Sequence, residues 1–229
     1  MSSISSSLPL PGRSPWRAIG WVLLLVGALF ASANAFWFAL GDGFNVDGLH
    51  LPGQKSRMFE IALIGYAHTL GGAIASLIGP FQFLASMRTR YPRVHVWLGR
   101  IYLTCVAGSA LGGLYLSPDS EARNTLGIGF IALALAWLYT GAKAYLTIRA
   151  RDVQAHRRWM IRNYALTYAA VTLRLEMPVL IAAFGVAPVM ALNIQAWMCW
   201  VPNLIIVEMW IRRRRARPML ASSALARVR

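Results

Sequence analysis

Residues 143–184 read KAYLTIRARDVQAHRRWMIRNYALTYAAVTLRLEMPVLIAAF, a basic segment followed by a long apolar one. The basic segment extends from Lys143 to Arg162 and contains six Lys and Arg residues. The run Trp159–Phe184 exceeds the roughly 20 helical residues that cross the ~30 Å apolar core of a bilayer. This succession of a basic connection and a membrane-length run decides how the rest of the chain is interpreted.

Similar apolar runs occur along the whole chain. It has 229 residues, of which 57% are hydrophobic and only 14% charged, whereas soluble domains carry about 25% charged residues. No run alternates apolar and polar residues as the strands of a membrane barrel do. Because backbone groups in lipid must be paired within their own segment, we predict an all-α integral membrane protein with six transmembrane helices. The other five runs are Arg17–Leu40, Ile61–Ser86, Val96–Ser117, Leu126–Ile148 and Ala187–Ile211.

The basic residues fall on alternate connections between these runs. Of the 23 Lys and Arg residues, 19 lie in the two terminal segments and in the second–third and fourth–fifth connections. Basic residues favour the cytoplasmic side, so we predict a bacterial inner-membrane protein with both termini in the cytoplasm. Anionic lipid heads at that face account for the net charge of +15, and no nucleic-acid partner is expected.

Three regions follow from this pattern. We expect a disordered cytoplasmic tail over 1–16, a six-helix membrane domain over 17–211 and a basic cytoplasmic tail over 212–229. The triplet Ala33-Asn34-Ala35 imitates a signal-peptide cleavage site. The apolar run continues beyond it to Leu40, so we expect an uncleaved first helix.

A short sequence repeat occurs at the start of the third and fifth runs. Residues 95–102 read HVWLGRIY and residues 156–164 read HRRWMIRNY, so His, Trp, Arg and Tyr recur in the same order. Both copies follow a basic connection and lead into an apolar run. We therefore predict that the second to fifth helices form a core four-helix bundle of two parallel hairpin repeats, with His95 and His156 at one depth near the inner face.

Ionisable residues inside apolar runs mark two layers. His68, Arg174 and Glu176 fall in the outer half of the membrane, where charged groups are costly and usually face a bundle interior or a cavity. We take these three as candidate catalytic residues. The alternatives are a hydrogen-bonded packing histidine at His68 and a structural salt-bridge network around Arg174.

The inner layer contains His95, His156, Arg100 and Arg162. Two neutral imidazoles from different helices at one depth are the arrangement that a haem iron needs. Arginines beside them suit the haem propionates. We predict these four as cofactor-binding residues, with His95, His156 and His68 as candidate metal ligands. The alternative is that both inner histidines are ordinary interfacial anchors beside Trp and Tyr.

The chain also resembles a known family of bacterial membrane proteins, domain of unknown function 2306. The resemblance rests on H-x-x-x-G with GPFQF (His68 to Phe83), H-x-x-x-G-R-x-Y (His95 to Tyr102) and HRRWMIRNYALT leading to Arg174. It covers roughly residues 60–180. The family's second motif more often reads H-R, whereas Val96 follows His95 here. The resemblance implies the fold and the candidate sites but no reaction.

Three functional hypotheses remain open. The first is a b-type-cytochrome-like redox protein with one haem b, or another metal, between His95 and His156, serving a redox partner. The second is a transporter or binder of a small or lipidic substrate at the layer of His68, Arg174 and Glu176. The third is a membrane enzyme that uses the same layer for acid–base chemistry. A visible absorption spectrum separates the first from the others.

Overall fold

The computed structural model describes residues 15–40, 55–117 and 126–226, and describes side chains within 18–40, 61–117 and 127–214. These ranges contain helices and short turns and no strand. The helices are α1 (Pro15–Leu40), α2 (Lys55–Gln82), α3 (Ala85–Arg90), α4 (Pro92–Leu116), α5 (Leu126–Arg149), α6 (Val153–Thr167), α7 (Ala169–Pro178), a π-helical turn (Val179–Ala183), α8 (Pro188–Met198) and α9 (Val201–Ala226).

Six helical spans in the described residues are long and apolar enough to cross a membrane. They are α1, α2, α4, α5, α6 with α7 and the π-helical turn, and α8 with α9. Large apolar side chains cover the outside of the spans, among them Leu23, Trp97 and Leu146. Such an apolar exterior is stable in lipid but not in water. The prediction of an all-α protein with six membrane helices is therefore confirmed, and its environment is a lipid bilayer.

Two helical hairpins make up the centre of the bundle. The most extensive helix pairs are α2 with α4 and α5 with α6, and α4 packs on α5 to join the two hairpins. Helix α1 packs along α2, and α8 and α9 pack against α5 and α6. The second to fifth spans therefore form the core, as the repeat predicts. The end of the bundle that carries α3, the turn 150–152 and the end of α9 is called the basic end below.

The GPFQF segment fixes the contact between α2 and α6. Pro80 lies inside α2 and has no N–H to donate to the Ser76 carbonyl one turn earlier. The Tyr164 hydroxyl donates to that carbonyl instead, at 3.2 Å. A Cβ at Gly79 would overlap the Tyr164 ring. Gly79 therefore leaves space for the Tyr164 ring, and the Tyr164 hydroxyl bonds the Ser76 carbonyl that Pro80 cannot bond.

The fifth and sixth spans are interrupted, whereas the sequence predicts continuous runs over Trp159–Phe184 and Ala187–Ile211. The fifth span has a turn at Tyr168 and passes into the π-helical turn after Pro178. The sixth span breaks at Cys199 and Trp200, just before Pro202, which lacks an N–H. The Cys199 carbonyl at the break of the sixth span accepts from Thr172 Oγ1 at 2.6 Å and from Asn203 Nδ2 at 3.0 Å. Side chains of α7 and α9 thus donate to a backbone carbonyl at this break.

Two of the predicted segments fall at the edge of the described chain. Helix α9 runs through the basic stretch 212–215 and reaches Ala226, so most of the predicted basic tail is helical. Most of the predicted N-terminal tail, residues 1–14, lies outside the described residues.

Candidate functional site

A cavity of about 380 Å³ lies inside the bundle, between α1, α2, α4, α5 and the fifth span. Its walls are mostly alanine, glycine and leucine, with a few polar groups. The two basic side chains that line it are His68 on α2 and Arg174 on α7. His68 lies 14 residues before the end of α2 at Gln82, about 20 Å from the basic end at 1.5 Å per residue.

The His68 ring is held against α4 by a reciprocal pair of hydrogen bonds. His68 Nδ1 lies 2.6 Å from the Ser109 carbonyl oxygen, and Ser109 Oγ donates to the His68 carbonyl at 2.9 Å. A carbonyl only accepts, so Nδ1 carries the proton and the neutral ring keeps its lone pair on Nε2. Small residues permit this approach, because a Cβ at Gly113 would lie 3.1 Å from His68 Cε1.

Arg174 presents a positive charge to the cavity. Its Nη1 donates to the Ala170 carbonyl one turn earlier on the same helix, at 2.8 Å. Its charge also acts on His68, so the two side chains share one electrostatic environment. No carboxylate of the described residues lies within ion-pair distance of it. Glu176 does not line the cavity; it faces Gln195 on α8. The structure thus brings His68 and Arg174 together and places Glu176 apart.

A buried polar network closes the cavity toward the basic end. Tyr102 Oη donates to Asn163 Oδ1 at 2.7 Å and lies 2.8 Å from Thr167 Oγ1. Asn163 Nδ2 donates to the Trp137 carbonyl and to Thr140 Oγ1, both at 2.8 Å. The Trp137 indole N–H donates to Thr167 at 2.9 Å. These five side chains, the Tyr102–Asn163 network below, join α4, α5 and α6.

His95 and His156 lie together at the basic end. Their charges interact with each other, and that of Arg88 acts on His95 as well. His156 Nδ1 lies 2.8 Å from the Ala144 carbonyl and therefore carries its proton. His95 Nδ1 is buried and has no hydrogen-bond partner among the described groups. Burial lowers the pKa of the Arg88 guanidinium, and the charge of Arg157 lowers it further.

The two arginines predicted beside a haem already have partners. Arg162 Nε and Nη2 donate to Glu208 Oε2 at 2.9 and 2.6 Å. The Arg100 guanidinium lies 5.1 Å from the centre of the Trp97 ring. The sequence interpretation missed Glu208, although an acidic residue inside an apolar run is itself a signal.

The three candidate metal-binding histidines do not form one site. Ser109, the partner of His68, is 14 residues from His95 along α4, which is about 20 Å at the helical rise. Within the described ranges, no three or more His, Cys, Asp or Glu side chains group in a way that would hold a metal ion. A haem between His95 and His156 needs only two histidines and stays a prediction.

Comparison with known proteins gives one match. The family model described as "Predicted membrane protein (DUF2306)" matches residues 65–211, which include both hairpins and the cavity. No curated protein matches the chain, and no solved structure does.

Proposed function

The chain belongs to the DUF2306 family of predicted membrane proteins, and we propose that its cavity binds an anionic amphiphile. The acidic group of this ligand pairs with Arg174, and its apolar body lies along the cavity walls. The observation that carries the proposal is a guanidinium in the wall of an otherwise apolar cavity, without a carboxylate partner among the described residues. An arginine at membrane depth costs several kcal/mol, at least ~2.5, unless it is compensated.

The size and the lining of the cavity support this class of ligand. A volume of about 380 Å³ falls within the roughly 300–1,000 Å³ of small-molecule pockets, which combine apolar walls with a few polar groups. A short-chain or medium-chain carboxylate fits that combination. Inorganic anions would leave the apolar walls empty, and neutral lipids would leave the guanidinium uncompensated.

His68 gives the site a second polar contact. With Nδ1 committed to Ser109, Nε2 is the ring nitrogen available to a ligand. A proton on Nε2 makes the ring a charge-assisted donor to the same acidic group. Binding of an anion and protonation of His68 therefore favour each other, because each adds a charge opposite to the other.

We further propose that the basic end faces the cytoplasm of a bacterial cell and that the cavity lies in the outer half of the inner membrane. The distribution of basic residues supports this orientation. The helical basic segment of α9 then lies at the anionic inner leaflet.

Binding of decanoate in lipid nanodiscs tests the proposed ligand class. We expect decanoate to raise the unfolding temperature in a saturable manner, since a ligand that binds only the folded state stabilises it. Decanol, with the same chain and no charge, is expected to have a much smaller effect. Arg174→Gln should weaken decanoate binding at least about tenfold, which corresponds to 1.4 kcal/mol.

The matched control for that substitution is Arg100→Gln, which removes an exposed membrane-end arginine. It should leave decanoate binding unchanged. Equal effects of decanoate and decanol, or equal effects of the two substitutions, would show that no anion site exists at Arg174.

Haem binding at His95 and His156 is the second candidate. The observation in its favour is the His156–Ala144 hydrogen bond, since metal-ligating histidines generally donate their other N–H to a carbonyl or carboxylate. Protein produced with added haem should then purify with a haem absorption spectrum that His156→Ala abolishes. Purification without bound haem, or a spectrum unchanged by that substitution, excludes this function.

A further inference from the structure

A second set of uncompensated polar atoms lies between α7 and α8. Gln195 is fully buried, at 0% exposure. Neither its Oε1 nor its Nε2 has a hydrogen-bond partner within the described ranges, and the same holds for the buried Glu176 Oε2. The Gln195 amide still acts on the Glu176 carboxylate as a hydrogen-bonding neighbour, although the geometry of that contact falls short of a hydrogen bond. These atoms account for half of the buried unpaired side-chain atoms in the described residues.

Such a gap has a physical cost that calls for a third group. Buried polar atoms without partners typically cost ~1–3 kcal/mol each, and more for a charged group. Native structures contain few of them, and each points to strain, a bound water or a bound ion. A carboxylate at membrane depth also needs a positive charge. Arg174 is two residues from Glu176, a spacing that directs the two side chains to different faces of a helix.

The helix that carries Glu176 is interrupted two residues further on. Pro178 ends α7 and has no N–H with which to bond the Arg174 carbonyl one turn earlier. A π-helical turn, Val179–Ala183, follows directly, and such turns are frequent at functional sites. In membrane proteins, carbonyls at interrupted helices are common ligands of monovalent cations.

We propose that Glu176 and Gln195 Oε1 contribute the oxygen ligands of a binding site for a monovalent alkali cation. Oxygen atoms are the ligands of hard cations. A single carboxylate balances one positive charge, which matches a monovalent ion rather than a divalent one. A bound water would fill the gap but leave the carboxylate charge uncompensated. The charge of Glu176 also acts on Cys199, which lines the cavity, so the proposed site borders the cavity wall.

The site is tested by comparing the unfolding temperature in sodium chloride with that in choline chloride at equal ionic strength. The protein is ligand-free and held in nanodiscs of neutral lipid. We expect sodium to raise the unfolding temperature in a saturable manner and choline to have no such effect. Glu176→Gln should abolish the sodium response, because the neutral amide cannot balance the ion. Gln195→Leu removes two unpaired atoms at similar volume, so it should fold and should raise the half-saturating sodium concentration about tenfold.

The control is Glu208→Gln, the same change at a membrane carboxylate that already pairs with Arg162 and Arg212. It should keep the sodium response. Line broadening in sodium NMR of the unmodified protein gives a measurement that does not depend on any variant folding. Equal stability in sodium and choline, a sodium response that survives Glu176→Gln, or stability that follows pH alone would each overturn the proposal.

Discussion

The Tyr102–Asn163 network and Arg174 in the cavity above it are neighbours, yet their polar groups are bonded in opposite ways. In the network, each side chain is bonded to another helix or to another member, and Asn163 alone takes part in three such bonds. In the cavity, Arg174 donates only to its own helix among the described contacts. The two regions share Thr167 and Trp137, which line the cavity and belong to the network.

The difference separates two uses of polar groups in a membrane. A side chain whose donors and acceptors are all bonded to other helices stabilises the bundle, because replacing it leaves several buried polar groups without partners at once. A side chain left with free donors contributes little to folding and is available to a ligand. The number of interhelical bonds therefore predicts whether a substitution affects stability or binding.

The largest effect on stability is expected at Asn163. Asn163→Leu removes three side-chain hydrogen bonds. Among the described side chains, the Tyr102 hydroxyl then keeps only its contact with Thr167, and the Trp137 carbonyl only that with Thr140. We expect a loss of about 2–4 kcal/mol, which lowers the unfolding temperature by roughly 5–15 °C for a chain of this size. Thermal unfolding in nanodiscs measures it.

Asn34→Leu is the matched control for this change. Asn34 is exposed, and among the described groups it donates only to the Phe30 carbonyl on its own helix, so its loss should be close to neutral. If both asparagine variants unfold at the same temperature, the count of interhelical bonds has no predictive value and the comparison fails.

A smaller effect is expected at Tyr164, which has one interhelical hydrogen bond. Tyr164→Phe keeps the ring against Gly79 but leaves the Ser76 carbonyl without a donor. We expect a loss of about 1 kcal/mol, measured by the same unfolding assay. Tyr139→Phe, at an exposed ring, should change nothing. A loss of stability at Tyr164 as large as that at Asn163 would contradict the relation between the number of interhelical hydrogen bonds and stability.

The smallest effect on stability is expected inside the cavity. Ala134 is buried on α5 and lines it, so Ala134→Leu fills empty space without removing a hydrogen bond. We expect unfolding within about 1 kcal/mol of the unmodified protein, because filling a void roughly offsets any local strain. Decanoate binding, measured by calorimetry, should be lost. Retained binding would place the ligand elsewhere.

The sequence was sufficient for the architecture and only partly sufficient for the sites. Length and hydropathy predict six spans because the bilayer dictates both, and the basic connections predict which ends lie together. That His68 and Arg174 face the interior of the bundle is expected from sequence, because ionisable residues are rare in lipid and usually face a cavity. The sequence does not predict that Glu176 lies apart from these two residues, since this depends on which helix each side chain faces.

The hydrogen-bond partners of these residues cannot be predicted from the sequence, for a related reason. Ser109 holds His68 through its backbone carbonyl, and every residue has one. Asn163 is visibly polar in the sequence, but its bonds to Tyr102 and Thr140 depend on the register between α4, α5 and α6. The break of the sixth span and the π-helical turn of the fifth lie beside prolines, and sequence alone does not show whether a proline breaks a helix or only kinks it. The turn at Tyr168 has no proline beside it.

The contact between Gly79 and Tyr164 limits how these two positions can change over evolution. With tyrosine at 164, any side chain at 79 meets the ring. A smaller residue at 164 makes room, but it strands the Ser76 carbonyl for as long as residue 80 is proline. Positions 79, 80 and 164 are therefore expected to be inherited as a unit, and single exchanges among them should be rarer in relatives than joint ones.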